Sequence, residues 1–168
     1  MRIETEVKLD FKDVLIRPKR STLGSRKDVE LEREFYWKNY EYRGHPKFEH
    51  DPHYVGIPIM ASNMDGVGTM EMADVLAELG MFTCLVKTYN VNDLVCYFDH
   101  NTEDNSIPLG LRSENVAMSI GILDRDEKIF RTVYEQTGSL LKYVCIDVAN
   151  GYSERFVNFV KQFRENIN

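Results

Sequence analysis

Gly56-Ile57-Pro58-Ile59-Met60-Ala61 is a short apolar run, and the same texture returns three times downstream. The other runs are Phe82-Thr83-Cys84-Leu85-Val86, Val116-Ala117-Met118-Ser119-Ile120-Gly121-Ile122 and Tyr143-Val144-Cys145-Ile146-Asp147-Val148. None alternates strictly between apolar and polar residues, so each reads as a strand buried on both faces. A stretch of helical period follows every run. Thr69 can cap a helix with Met72, Val75, Leu76 and Leu79 at i, i+3, i+4 and i+7, and Gly80 stands at its carboxyl end. Asn92 opens a helix with Leu94, Val95 and Phe98 on one face. Asp124 and Glu127 make a capping-box-like start to a helix carrying Phe130, Val133 and Tyr134, and Gly138 ends it. Ser153 caps the last helix, with Phe156, Val160, Phe163 and Ile167 on one stripe.

The pattern is βαβαβαβα, which predicts a parallel α/β sheet covered by helices. Strand centres near residues 59, 84, 118 and 145 are 25, 34 and 27 residues apart. A (β/α)8 TIM barrel of about 250 residues averages roughly 31 per unit, so four units fit and eight do not. An open doubly wound sheet is the alternative, although GxGxxG and GxxxxGK[ST] are both absent. The two ends of the chain differ in texture. Residues 1–54 are polar and irregular and read as an amino-terminal arm and loop; residues 55–168 hold the four βα units. Residues 101–114 read as a polar loop.

Composition excludes several classes of function. The 168 residues carry 21 Lys and Arg against 27 Asp and Glu, a net charge of −6, which argues against general nucleic-acid binding. A hydrophobic content of 43% supplies a real core, so wholesale disorder is excluded. No apolar run approaches the ~18 residues of a membrane span, and Met1 to Asp10 is charged, without the apolar stretch of a signal peptide. Cys84, Cys96 and Cys145 are odd in number and flanked by apolar residues, and no CxxC spacing occurs. That suits reduced, buried thiols in a cytoplasmic protein.

In either architecture function gathers at the carboxyl ends of the strands. Asn63, Asp65, Lys87, Asp147 and Asn150 would converge on that rim. Asp and Asn at strand ends also serve simply as turn residues. Lys87 is different: a lysine closing a buried strand is costly unless it meets an anion or carboxylate. His45, His50, Asp51 and His53 match no standard metal spacing and read as a solvated loop. The basic patch of Arg17, Lys19, Arg20, Arg26 and Lys27 is offset by Asp28, Glu30, Glu32 and Glu34, which fits an exposed arm better than an RNA site.

Three segments carry a resemblance. Leu9-Asp10-Phe11-Lys12-Asp13-Val14-Leu15-Ile16-Arg17-Pro18-Lys19-Arg20-Ser21 resembles the opening of GMP reductases. So do Ile57-Pro58-Ile59-Met60-Ala61-Ser62-Asn63-Met64-Asp65 and Val144-Cys145-Ile146-Asp147-Val148-Ala149-Asn150-Gly151-Tyr152-Ser153-Glu154. The matches span residues 1 to about 165 and correspond to the amino-terminal half of that family, hence half of a TIM barrel. The sister family, IMP dehydrogenase, shares the fold and the first strand motif. It usually inserts a pair of CBS modules after the second βα unit, and no such insertion fits between Asp99 and Asn115.

The resemblance implies reduction of GMP by NADPH to IMP, ammonia and NADP. In that chemistry a cysteine attacks purine C2, ammonia leaves and hydride reaches C2. By matched position Lys87 is catalytic and, with Asp147, Val148 and Ala149, lies along the cofactor. Ser25 and Arg26 match a pair that reaches the cofactor from a neighbouring subunit. Asn63, Met64 and Asp65 lie on the nucleotide side. The family's nucleophile sits in a Gly-Ser-x-Cys-Thr-Thr loop beyond the fourth unit, which residues 1–168 do not contain, and none of the three cysteines matches it. The resemblance also places the phosphate-binding strands and a monovalent-cation site outside this chain. Residues 39–54 and 101–114 fit the family poorly. The expected partners are therefore GMP or IMP, with a homo-oligomer or a complementary carboxyl-terminal half, and neither nucleic acid nor membrane. The other readings are a non-catalytic half-barrel acting as an interaction module and a fragment of dehydrogenase type.

Overall fold

The structure, a computed structural model, describes residues 5–36, 54–99 and 109–167. It divides into two compact units, Met1–Glu30 and Leu31–Asn168. The division falls ahead of the 54/55 boundary expected from texture, because residues 33–35 and 54–56 pair with each other inside the second unit. The cluster His45, His50, Asp51 and His53 lies outside the described residues.

The first unit is held by short local hydrogen bonds. The Asp10 carboxylate accepts from the Phe11 N–H at 2.7 Å and Asp13 accepts from the Asp10 N–H at 2.9 Å, closing a 3-10 turn. Ser25 and Asp28 close a second turn in the same way.

In the second unit, β1 (Arg33–Phe35) runs antiparallel to β2 (Tyr54–Gly56). A four-stranded parallel sheet follows in chain order: β3 (Met60–Ala61), β4 (Phe82–Cys84), β5 (Val116–Ile120) and β6 (Tyr143–Ile146). Helices α1 (Met70–Glu78), α2 (Val91–Phe98), α3 (Leu109–Asn115), α4 (Asp124–Thr137) and α5 (Glu154–Asn166) follow the strands, α2 and α3 both falling between β4 and β5. The expected run Gly56–Ala61 is therefore two strands rather than one. Pro58 has no N–H to give a ladder and breaks it. The flanking residues still pair: Ile57 N donates to Gly80 O at 2.7 Å, and Phe82 N to Ile59 O at 3.0 Å.

Several helix boundaries differ from the sequence reading. Thr69 does cap α1, its hydroxyl accepting from Met72 N at 3.1 Å, and Gly80 follows with φ +69°. The face that α1 buries is Ala73 and Ala77, however, while Met72, Val75 and Leu79 are exposed. Small residues let the helix approach the sheet closely. Asn90, not Asn92, caps α2, its side chain accepting from Asp93 N at 3.0 Å. In α4 it is Asp126, not Glu127, that reaches back to the Leu123 N–H at 3.1 Å; Glu127 instead pairs with Arg131 at 2.6 Å. The expected loop 101–114 ends in helix α3, where Ser113 and Asn115 satisfy carbonyls one turn back.

The sheet has two apolar faces. On the helix side Leu85, Val116, Met118 and Ile120 pack against Ala73, Leu94, Phe98, Phe130, Val133 and Phe163. On the other side Phe82, Cys84 and Ala117 pack with Tyr143, Cys145, Tyr54 and Phe35. The Phe82 ring meets Tyr54 edge-on at 5.4 Å and Tyr143 at 5.2 Å, so the β1–β2 hairpin covers one end of this face. Where α1, α2 and α3 meet, Arg112 grips both Asp74 carboxylate oxygens at 2.9 Å. Tyr97 donates to the same carboxylate at 2.8 Å, and the guanidinium lies 4.5 Å from its ring centroid. Among the described residues no helix is long and apolar enough to cross a membrane.

Candidate functional site

The carboxyl end of the parallel sheet is built by two backbone contacts and one from a side chain. Val86 N donates to Gly68 O at 2.8 Å and draws the loop after β3 onto the end of β4. Gly68 makes this possible: a Cβ there would collide with the Cys84 carbonyl and stand 2.9 Å from the Ser62 carbonyl. Asp147 N donates to Ile120 O at 2.8 Å, so β6 pairs one residue beyond its regular end. The Tyr89 hydroxyl accepts from Met70 N at 3.1 Å and ties the segment after Lys87 to the start of α1.

Across this rim Lys87 Nζ lies 2.8 Å from Asp147 Oδ2 and also donates to the Asp147 carbonyl at 3.2 Å. The lysine thus spans from the end of β4, over β5, to the end of β6. Its hydrogen bond holds the Asp147 carboxyl below the usual carboxylate range; burial pushes the other way, and the Lys87 charge and Asn63 add to the lowering. Asn63 faces the Asp147 carboxylate closely enough to lower it, although its buried Nδ2 falls outside strict hydrogen-bonding geometry.

Below the rim lie three sulfurs, those of Met60, Cys84 and Cys145. Cys84 Sγ is 3.5 Å from Met60 Sδ. Cys145 is pulled below the ordinary thiol range, chiefly by a hydrogen bond from Cys84, with Ser119 and Lys87 acting the same way and burial and Asp147 opposing. Cys84 moves up in turn, through that same bond, burial and the charge of Cys145. Of the three thiols expected to be buried, Cys84 is, Cys145 is half-buried and Cys96 is exposed on α2. A small cavity of about 30 Å³ opens beside the rim, bordered by Lys87, Tyr89, Ser119, Gly121 and Asp126 among others.

Of the residues expected on the rim, the structure brings Lys87, Asp147 and Asn63 together. Met64 and Asp65 are exposed, and the Met64 carbonyl turns the loop by accepting from Val67 N at 3.0 Å and Gly68 N at 2.9 Å. Val148 is half-buried and Ala149 exposed. Asn150 makes the ordinary turn bond, accepting from Tyr152 N at 3.0 Å. Ser25 and Arg26 belong to the other unit, where Ser25 caps its turn. Gly68, Tyr89 and Ser119 were missed by the sequence reading. Gly68 carried a signal, as a second glycine close after a strand; Tyr89 and Ser119 carried none.

The IMP dehydrogenase / GMP reductase domain model matches residues 8–168. A GMP reductase of Caenorhabditis elegans is 46% identical over 164 residues, which are 98% of this chain and 41% of that protein. A GMP reductase of Citrobacter koseri is 47% identical over 165 residues, 98% of this chain and 42% of that protein. The chain therefore spans about two fifths of the length of these relatives. Among solved structures, an inosine 5'-monophosphate dehydrogenase from Legionella pneumophila superposes with a TM-score of 0.53 at 15% identity, covering 80% of this chain and 39% of that one. That likeness shows the fold: the four-stranded sheet is part of a TIM barrel.

Proposed function

Because the chain belongs to the IMP dehydrogenase / GMP reductase family, we propose that it supplies the cofactor-facing part of a GMP reductase site. The reaction is reductive deamination: GMP, NADPH and two protons give IMP, ammonium and NADP. The observation that carries the reading is the Lys87–Asp147 pair at 2.8 Å on the barrel rim, with the Asn63 amide beside it. Lys87 has three hydrogens and spends two on Asp147, which leaves one to meet a ligand. A rim amide and a cation with a spare hydrogen suit the polar end of a nicotinamide. That group, when bound, supplies the hydride. Lys87, oriented by Asp147, would hold it and give a proton as ammonia departs. Val148 and Ala149 continue the cofactor side, Met64 and Asp65 the nucleotide side, and Ser25 and Arg26 would serve a neighbouring subunit.

A chimera joining residues 1–168 to the remaining part of a related reductase tests this. GMP-dependent loss of NADPH absorbance is expected, whereas residues 1–168 alone give none, since they contain no Cys-Thr-Thr loop. A folded chimera that leaves NADPH unchanged would refute the reading.

A second reading, an interaction module, is favoured by the β3 edge. Ile59 and Met60 are 55% and 60% exposed there, and Met72, Val75 and Leu79 of α1 are exposed as well. Under it the chain pairs with a second copy or a complementary half without turnover of its own.

A further inference from the structure

Three sulfurs from three strands converge on the sheet face away from the helices. Cys84 Sγ of β4 donates to Met60 Sδ of β3 at 3.5 Å. Cys84 and Cys145 of β6 share a side-chain hydrogen bond. A thiol has one hydrogen, so the two neighbouring sulfurs compete for it. In a barrel, side chains of alternate strands meet in one layer, and β4 and β6 are alternate strands with β5 between them. Ala117 of β5, packed with both cysteines, is small enough to leave their sulfurs in contact.

The intervening strand decides what these sulfurs can do. Two strand spacings put the Cys84 and Cys145 Cα atoms about 9–10 Å apart, beyond the roughly 7 Å at which a disulfide closes without backbone movement. A cation bonds each sulfur separately and needs no such approach. Among the described residues, no three of His, Cys, Asp and Glu are grouped to hold a metal, so the donors here are two thiols and one thioether. That set falls short of the four ligands of a structural zinc site. Soft thiolate and thioether sulfur together select Cu(I). Cys84 is buried and Cys145 half-buried, while Met60 is exposed and leaves a side open for entry. We propose that Met60, Cys84 and Cys145 form a binding site for a soft monovalent cation, Cu(I), which clamps β3, β4 and β6 together. The cation site does not depend on the cofactor reading above.

The test offers Cu(I), kept reduced by ascorbate under nitrogen as its coloured bicinchoninate complex, to the full chain. The wild type should take up one ion per chain and bleach the complex. Its melting temperature should rise, because an ion bound only by the folded state stabilises that state. X-ray absorption of the loaded chain should show three sulfur neighbours. Cys84→Ser should lose the uptake. Met60→Leu, a change at an exposed position that spares the fold, should bind at least tenfold more weakly. Cys96→Ser, which removes the exposed thiol of α2, should bind as the wild type does, and Zn(II) should leave the melting temperature unchanged. No uptake by the wild type, undiminished uptake in Cys84→Ser or Met60→Leu, uptake lost in Cys96→Ser, or an equal shift with Zn(II) would each overturn the proposal.

Discussion

Lys87 and Asp147 meet at 2.8 Å with side chains 42% and 40% exposed, and that exposure decides what the pair is worth. Solvent screens an ion pair so placed, so its contribution to stability is at most about 1 kcal/mol. We expect Lys87→Met to melt close to wild type, while turnover of the folded chimera falls at least tenfold, about 1.4 kcal/mol. Thermal melts and steady-state assays of the same preparations check this; a strongly destabilised variant with normal turnover per folded molecule would make the lysine structural. The pH dependence has a definite sign. Asp147 titrates below its ordinary range in the folded chain, so the stabilisation is complete above the unfolded carboxylate value and is lost as pH falls through the lower folded one. Melts of wild type and Asp147→Asn should therefore differ most near neutrality and converge in acid. The pair was legible in the sequence because a lysine closing an apolar strand needs an anion. The Asn63 amide was legible as a rim residue, but its approach to Asp147 was not.

Between elements, the join at Asp74, Arg112 and Tyr97 couples three helices through one carboxylate. Asp74→Ala leaves a largely covered guanidinium with neither of its two 2.9 Å contacts, and we expect a loss of about 3 kcal/mol. The double variant Asp74→Leu with Arg112→Met should lose clearly less in a denaturant titration, since no charge is stranded. Nothing in the sequence announced this join, because its members are 15 to 38 residues apart. The alternation of strands and helices was legible because buried parallel strands leave continuous apolar runs. The buried side of α1 was not: Met72, Val75 and Leu79 form the more apolar stripe, yet Ala73 and Ala77 are covered. Periodicity identifies a stripe but not which neighbour covers it. The β1–β2 hairpin was missed for another reason. Arg33 and Glu34 look like surface residues, and their partners lie about twenty positions onward.

At the scale of the molecule, β3 and β6 each leave one edge of the parallel sheet unpaired among the described residues. Open edges recruit strands, and contiguous apolar surface is seldom left bare. In sedimentation at micromolar concentration, residues 1–168 should run as a dimer, bind a complementary half or aggregate. A stable monomer would contradict this and remove the support for the interaction reading. Directly beneath the rim this face carries Cys145 and Ser119, paired side by side and polar rather than apolar. The apolar packing of that face is concentrated farther down, where Phe82, Tyr54 and Tyr143 meet.

Sheet order that follows chain order has a consequence on the ribosome. Each new strand finds its one partner already synthesised, in the unit 25 to 34 residues before it. At about 5–20 residues per second a unit emerges within a few seconds, longer than a strand or helix needs to form. The nascent sheet can therefore grow one strand at a time, its newest edge covered by the next arrival. The β3 edge is the exception, left waiting from the first unit onward.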